Sequence, residues 1–308
     1  MIEVQHLSRY YGDFAAISDL QFSIQKNEII GFLGLNGAGK STTLKILSGL
    51  LEPSEGKIMF HGKPFSSAQT KLRSKIGFLP EEPPLYKDMT VREFLLYVGE
   101  LRGLTKSEVK ERMDKIVTLC QLEDRVNQLI GELSLGYRKR VGIAQAIIHK
   151  PELVILDEPI SGLDPFQIVE MRKVIRNLAG ESTVLLSSHN LNEVAETCDR
   201  LLILHQGKII AEGSTEALAE QKNSQTQTTI VECSLSQTQK EFIQTLFEMV
   251  FIEKNIPDGH EFIEINHSHP IPDVIKTLVD NNVSIYSVRQ KKSGLENVFL
   301  SLTQGEHQ

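Results

Sequence analysis

Along the chain, short runs of consecutive apolar residues alternate with stretches whose apolar positions return every three or four residues. The runs at Glu28–Leu33, Ile76–Leu79, Leu153–Leu156, Thr183–Ser187 and Arg200–Leu204 predict strands, and the stretches between them predict helices. Strands that are apolar throughout and separated by helices predict an α/β fold, a largely parallel sheet with helices packed on its faces. Shorter alternating runs in Ile2–Ser23 predict an antiparallel β edge. Between Pro80 and Leu133 the pattern becomes nearly all helical. Thr90-Val91-Arg92-Glu93 and Thr105-Lys106-Ser107-Glu108 both fit a capping box, in which Thr and Glu side chains satisfy free amides at a helix start. Leu95, Val98 and Leu101, then Val109, Met113, Ile116 and Leu119, follow at helical spacing. A helical subdomain over about 80–140 therefore interrupts the α/β part.

One break in composition follows. Glu220–Thr229 is polar and aperiodic and predicts a linker between a unit at 1–219 and a second at 230–308. In the second, strands near Thr229–Leu235, Val250–Glu253, Phe262–Asn266 and Val283–Val288 alternate with helices near Gln237–Glu248 and Pro272–Asn281. The order β-α-β-β-α-β predicts a small α+β sandwich of ferredoxin-like type.

Composition narrows the classes of function. The 308 residues are 40% hydrophobic and 24% charged, ordinary for a globular protein. A net charge of −7 argues against a dedicated nucleic-acid binder. No apolar run approaches the ~20 residues of a membrane span, and the amino terminus lacks the pattern of a secretory signal, so a cytoplasmic protein is expected. Cys120, Cys198 and Cys233 lie far apart and are expected to be reduced core thiols.

The candidate chemistry begins at Gly34-Leu35-Asn36-Gly37-Ala38-Gly39-Lys40-Ser41-Thr42, which matches G-x-x-x-x-G-K-[ST] after a strand and at the opening of a helix, Ser41–Leu50. Glycines let the backbone wrap an anion so that amides and a helix N-terminus face phosphate oxygens. Lys40 adds a positive charge for the β- and γ-phosphates, and Ser41 offers a hydroxyl to Mg²⁺. The apolar strand Leu153–Leu156 ends in Asp157-Glu158, at the same edge of a parallel sheet. Asp157 is expected to hold Mg²⁺, directly or through water, and Glu158 to act as general base toward the attacking water.

Leu133-Ser134-Leu135-Gly136-Tyr137, just ahead of that strand, resembles the signature motif of ATP-binding cassette (ABC) ATPases. Ser161-Gly162-Leu163-Asp164 is similar to the family's D-loop, and His189 to its switch histidine. Tyr11, followed by Gly12, fits the aromatic that stacks on adenine, although Tyr10 or a plain core role fits the same pattern. The resemblance extends over Met1 to about Gly213. Within the family it is nearest to the gliding-motility-associated, exporter-type bacterial subgroup, through the signature sequence and the closing segment Gly294–Leu300.

The resemblance implies a P-loop cassette that hydrolyses ATP as the motor subunit of an exporter. Two such subunits, in a homodimer or with a related cassette, would enclose two Mg-ATP. Each ATP would meet Tyr11, Gly34, Asn36, Gly37, Ala38, Gly39, Lys40, Ser41 and Thr42 of one chain, with Lys40, Glu158 and His189 in catalysis, and Ser134, Gly136 and Asp164 of the other. The implied partners are integral membrane permease subunits, with the chain peripheral on the cytoplasmic face of the membrane. A cassette acting on ribosomes or DNA is the alternative, disfavoured by the acidic charge and the lack of a long coiled-coil insertion.

The chain departs from the family pattern at three places. Glu81 stands where the Q-loop carries glutamine; it keeps an oxygen for Mg²⁺ but adds a negative charge near the triphosphate. Tyr137 replaces the usual final glutamine of the signature, and Ile160 stands where Thr or Ser is common. Arg138-Lys139-Arg140 reads as a solvated helix face, and His260, His267 and His269 as polar turn residues lacking the spacing of a metal site.

Overall fold

The computed structural model describes residues 1–66, 70–220, 227–253, 260–267 and 269–291. The chain divides into two compact units, Met1–Thr215 and Glu216–Gln308.

The first unit opens with the hairpin β1 (Ile2–Tyr11) and β2 (Phe14–Ile24), followed by β3 (Ile29–Leu33), α1 (Lys40–Leu47), β4 (Glu55–Phe60), β5 (Lys63–Phe65), α2 (Thr70–Arg73) and β6 (Ile76–Leu79). Helices α3 (Val91–Leu101), α4 (Lys106–Leu119) and α5 (Leu135–Ile147) form the helical part. It then returns through β7 (Leu153–Leu156), α6 (Pro165–Ala179), β8 (Thr183–Ser188), α7 (Leu191–Ala195), β9 (Arg200–His205) and β10 (Lys208–Gly213), and α8 (Thr215–Glu220) starts at the unit's last residue. Among the described residues the main sheet has the order β10-β9-β3-β8-β7-β6, parallel except for β10. An antiparallel sheet, β2-β1-β4-β5, packs with it around one core that includes Leu7, Ile24, Phe32, Phe60 and Leu202. Every residue of β3 and β7 is buried, which is why those strands are apolar without alternation.

Helix α1 ends at Leu47, before the expected Leu50. Gly49 takes φ +72°, its amide donates to Ile46 O, and Leu50 N donates to Lys45 O, a left-handed C-terminal cap. Both capping boxes are present: Thr90 N donates to Glu93 Oε2 at 2.9 Å and Thr105 N to Glu108 Oε2 at 2.7 Å. These bonds also hold both glutamates below the usual carboxylate pKa. The periodicity fails at Leu101, which is 67% exposed at the end of α3 and lines an open groove. Cys120, Cys198 and Cys233 are buried free thiols, and burial pushes their pKa up.

The second unit runs β11 (Gln227–Ser234), α9 (Gln237–Leu246), β12 (Glu248–Glu253), β13 (Glu261–His267), α10 (Ile271–Asp280) and β14 (Ser284–Lys291). Its sheet has the antiparallel order β12-β13-β11-β14, the ferredoxin-like arrangement, with Val231, Ile263, Ile265, Val274 and Leu278 in its core. Gln227–Thr229, expected in the linker, are strand residues paired with His267–Ile265. Thr229, fully buried despite its hydroxyl, shares a 2.8 Å hydrogen bond with His267 Nε2. His267 Nδ1 donates to His269 O at 2.7 Å, while His260 stacks on Tyr286. The segment Gly294–Leu300 lies outside the described residues.

Candidate active site

Parallel strands bring their carboxyl ends to one edge, and β3, β6, β7 and β8 each deliver a group there. After β3, Gly37 and Gly39 take φ +85° and +101°, so the loop turns in a region that residues with a Cβ avoid. A Cβ on Gly39 would also lie 2.7 Å from Ala16 O. Gly39 leaves the start of α1 without a side-chain cap, so its first amides face the loop's concavity. Lys40 opens that helix; its buried ammonium donates to Gly34 O at 2.7 Å and lies 3.4 Å from Glu158 Oε1.

The end of β7 places Asp157 and Glu158 opposite. Asp157 is buried and accepts from Ser187 Oγ at 2.6 Å and Ser41 Oγ at 3.3 Å. Among the described residues no Lys or Arg pairs with it, so a buried carboxylate is held by hydroxyls alone. Glu158, also buried, has φ +48°, a left-handed conformation that costs a non-glycine residue about 1–2 kcal/mol. Its amide donates to Ser187 Oγ at 2.9 Å, and its Oε2 accepts from His189 Nδ1 at 2.9 Å. One carboxylate thus lies between a lysine and a histidine.

These groups border a cleft of about 460 Å³. It is lined by Asn36, Gly37, Ala38, Gly39, Lys40, Ser41 and Thr42 of the loop, and by Glu81, Glu158 and His189. Tyr11 also lines it, from the tip of the β1–β2 hairpin, with the Arg9 guanidinium 4.9 Å from its ring centre. Tyr10 instead points its hydroxyl to Glu55 Oε2 at 3.3 Å. The cleft has backbone amides, an ammonium, acids and an exposed aromatic ring, groups that suit a polyphosphate carrying an aromatic base.

Residues 17–161 match the family model described as ABC transporter. The bacitracin transport ATP-binding protein BcrA of Bacillus licheniformis is 33% identical, over 99% of this chain and 98% of its own. The linearmycin resistance ATP-binding protein LnrL of Bacillus subtilis is 32% identical, over 98% of each. The dimeric structure of a bacterial ABC transporter cassette superposes with a TM-score of 0.63 at 25% identity, covering 70% of this chain and 98% of that one. The chain belongs to the ABC transporter family, as an ATP-binding subunit. It is an ATPase.

In this ABC subunit Ser134, Gly136 and Asp164 do not line the cleft of their own chain. Ser134 caps α5, accepting from Tyr137 N at 3.5 Å, and Asp164 caps α6, accepting from Gln167 N at 2.9 Å. Gly136 is tight: a Cβ there would lie 2.9 Å from Gln167 Oε1. Tyr137 lies between the guanidiniums of Arg125 and Arg140, 5.1 and 5.2 Å from its ring centre.

The expected solvated face of Arg138-Lys139-Arg140 is wrong for two of its three residues. Lys139 is 4% exposed and Arg140 8%. Lys139 Nζ donates to Glu158 O and Ser161 O, both at 2.7 Å. Burial lowers its pKa, opposed by the charges of Glu158, Glu81 and Glu193. Arg140 reaches Gln121 O at 3.4 Å and Glu170 at 3.7 Å. Ser187 escapes the sequence reading; a buried serine after the apolar run Val184-Leu185-Leu186 is itself a signal, because its hydroxyl needs a partner.

Proposed function

We propose that the protein drives export as the motor of a membrane transporter, closing head to tail with a second copy around two Mg-ATP and opening after hydrolysis. The observation that carries it is Glu158, whose carboxylate lies between Lys40 and His189 in the cleft lined by the glycine-rich loop. In this reading the loop from Gly34 to Thr42 cradles the triphosphate and Lys40 meets its β- and γ-phosphates. Tyr11 stacks on the adenine, a contribution of about 0.5–1.5 kcal/mol. Glu158 takes the proton of the attacking water, whose oxygen joins the γ-phosphorus as the bond from that phosphorus to the bridging oxygen breaks and ADP leaves, and His189 orients that water. Ser134, Gly136 and Asp164 complete the neighbouring chain's site.

Magnesium fits the donor set: Asp157 is a buried carboxylate without a cationic partner among the described residues, Ser41 is within hydrogen-bond reach of it, and Glu81 lines the cleft together with Ser41. Its contribution there is charge neutralisation on the phosphates.

The membrane partner docks, in this proposal, in an open groove of about 560 Å³ distinct from the cleft. Its wall combines Leu50, Phe78, Pro84 and Leu101 with the cations Lys45 and Arg102, suiting an amphipathic cytoplasmic segment that bears an acid. No helix among the described residues is long and apolar enough to cross a membrane; in this proposal separate permease subunits supply the span, and the chain is peripheral on the cytoplasmic face. The names of BcrA, for bacitracin transport, and LnrL, for linearmycin resistance, both matched over nearly their whole length, support export of antibiotic-like compounds. The second unit is an accessory domain in this reading; a chain ending at about Lys222 that retains full ATPase and transport activity would show that it is dispensable.

Glu158→Gln tests the core of the proposal. It retains ATP, loses about 10²–10⁴-fold in kcat, and accumulates as a dimer on size exclusion with ATP. A variant that stays monomeric at saturating ATP refutes the closing dimer. Stoichiometric recovery of an integral membrane protein with the tagged subunit checks the partner.

A further inference from the structure

We propose that Lys139 is a positioning residue for hydrolysis: its buried ammonium fixes the backbone turn that carries Glu158 and opens the D-loop. This rests on Glu158 as the general base.

Three observations converge. First, the two carbonyls that Lys139 holds, those of Glu158 and Ser161, bracket the turn between the base and Gly162-Leu163-Asp164, and both bonds are 2.7 Å. Charge-assisted bonds to a buried ammonium are among the strongest a turn can receive. Second, Glu158 occupies a left-handed conformation that its side chain disfavours, φ +48°. Such a conformation persists when its surroundings over-determine it. Here its N–H is bound by Ser187 Oγ and its carbonyl by Lys139 Nζ, so both polar groups of its backbone are anchored. The direction of its carboxylate toward Lys40 and His189 follows from that anchoring. Third, Lys139 belongs to α5, the helix capped by Ser134 and carrying Gly136. One side chain therefore ties the helix that serves the neighbouring chain's nucleotide to the base that serves its own. A shift of α5 is transmitted to the Glu158 turn through this ammonium.

Lys139→Met keeps the aliphatic stem and removes both bonds. A displacement of about 1 Å at a reacting group can cost ~10²-fold, so kcat is expected to fall about 100-fold while the KM for ATP changes less than about threefold. Lys139→Gln retains an amide donor and is expected to fall between Met and the parent. The deciding measurement is the cycle with Glu158→Gln in the full-length protein. If Lys139 acts through Glu158, adding Lys139→Met to Glu158→Gln costs less than about threefold more, because the group being positioned is already gone. An equal loss in both backgrounds overturns the proposal, as does a Met variant with a lower melting temperature but parental kcat in its folded fraction. If Met gives insoluble protein, Lys139→Gln replaces it in the cycle, and the same two results support or overturn the role. Should Glu158→Gln itself leave kcat intact, the base assignment fails instead, and that result is separate from the effect of Lys139→Met in the parent background.

Discussion

His149, in the turn after α5, offers a test of the electrostatics in the helical part. Its Nε2 donates to Ile76 O at 3.2 Å, so in the neutral ring Nδ1 carries no proton. Nδ1 is buried without a hydrogen-bond partner. A second proton would enter there, without an acceptor and facing the charges of Arg102 and Arg112. Burial first, and then Arg102, pull the pKa from its ordinary 6.5 to about 4. The consequence for stability has a definite sign. Above pH 6.5 the ring is neutral in both states and contributes no pH dependence. As the pH falls below 6.5 the unfolded chain takes up a proton that the folded chain refuses, so stability declines, and the loss is complete once the pH passes below about 4.

At ~1.36 kcal/mol per pKa unit the full loss is about 3 kcal/mol. Solvent at the ring's open side screens part of this, leaving about 2 kcal/mol. His149→Gln keeps an amide donor for Ile76 O and removes the titration. In thermal unfolding from pH 7.5 to 4, the variant's melting temperature should gain on the parent's by about 4–8 °C, at ~2–4 °C per kcal/mol for a unit of this size. Other acids titrate alike in both proteins, so the difference isolates His149. A difference that stays constant over the window refutes the reasoning, as does a His149 resonance titrating near 6.5 in the folded protein.

Three further outcomes are expected. Ser187→Ala removes a donor to Asp157 and the acceptor for Glu158 N; about 2–4 kcal/mol of stability and a large share of kcat should be lost, and a melting shift below 1 °C would contradict it. Glu81→Gln should raise the Mg²⁺ concentration needed for half-maximal hydrolysis if the carboxylate ligates the ion, so an unchanged Mg²⁺ titration excludes that role. Tyr11→Ala should weaken ATP binding about 2–10-fold, the loss of a stacking contact, while Tyr10→Ala, outside the cleft, should leave it near parental; equal effects from both would unseat Tyr11.

How much of this was legible in the sequence depended on whether the cause was local. The parallel strands could be read because burial on both faces leaves an unbroken apolar run, as in Leu153–Leu156. The loop and its lysine could be read because wrapping an anion constrains residues that are adjacent in the chain. Both capping boxes were legible for the same reason, their bonds spanning three residues. Lys139 was not, because its partners lie about twenty positions away, at Glu158 and Ser161. Yet α5 held a clue. After Arg140 it continues Val141-Gly142-Ile143-Ala144-Gln145-Ala146-Ile147, almost wholly apolar around every face, and Val141 through Ala144 are buried in succession. A helix buried on all sides has little solvated face to offer, and successive residues turn by about 100°. Three consecutive basic residues spread over roughly 200° of such a helix cannot all reach water, so at least one had to find its partner inside the protein. Burial without a partner is too costly for an ammonium to persist. Backbone carbonyls are what could meet it there, and those of Glu158 and Ser161, in a turn whose backbone is left-handed at Glu158, are the ones Lys139 holds.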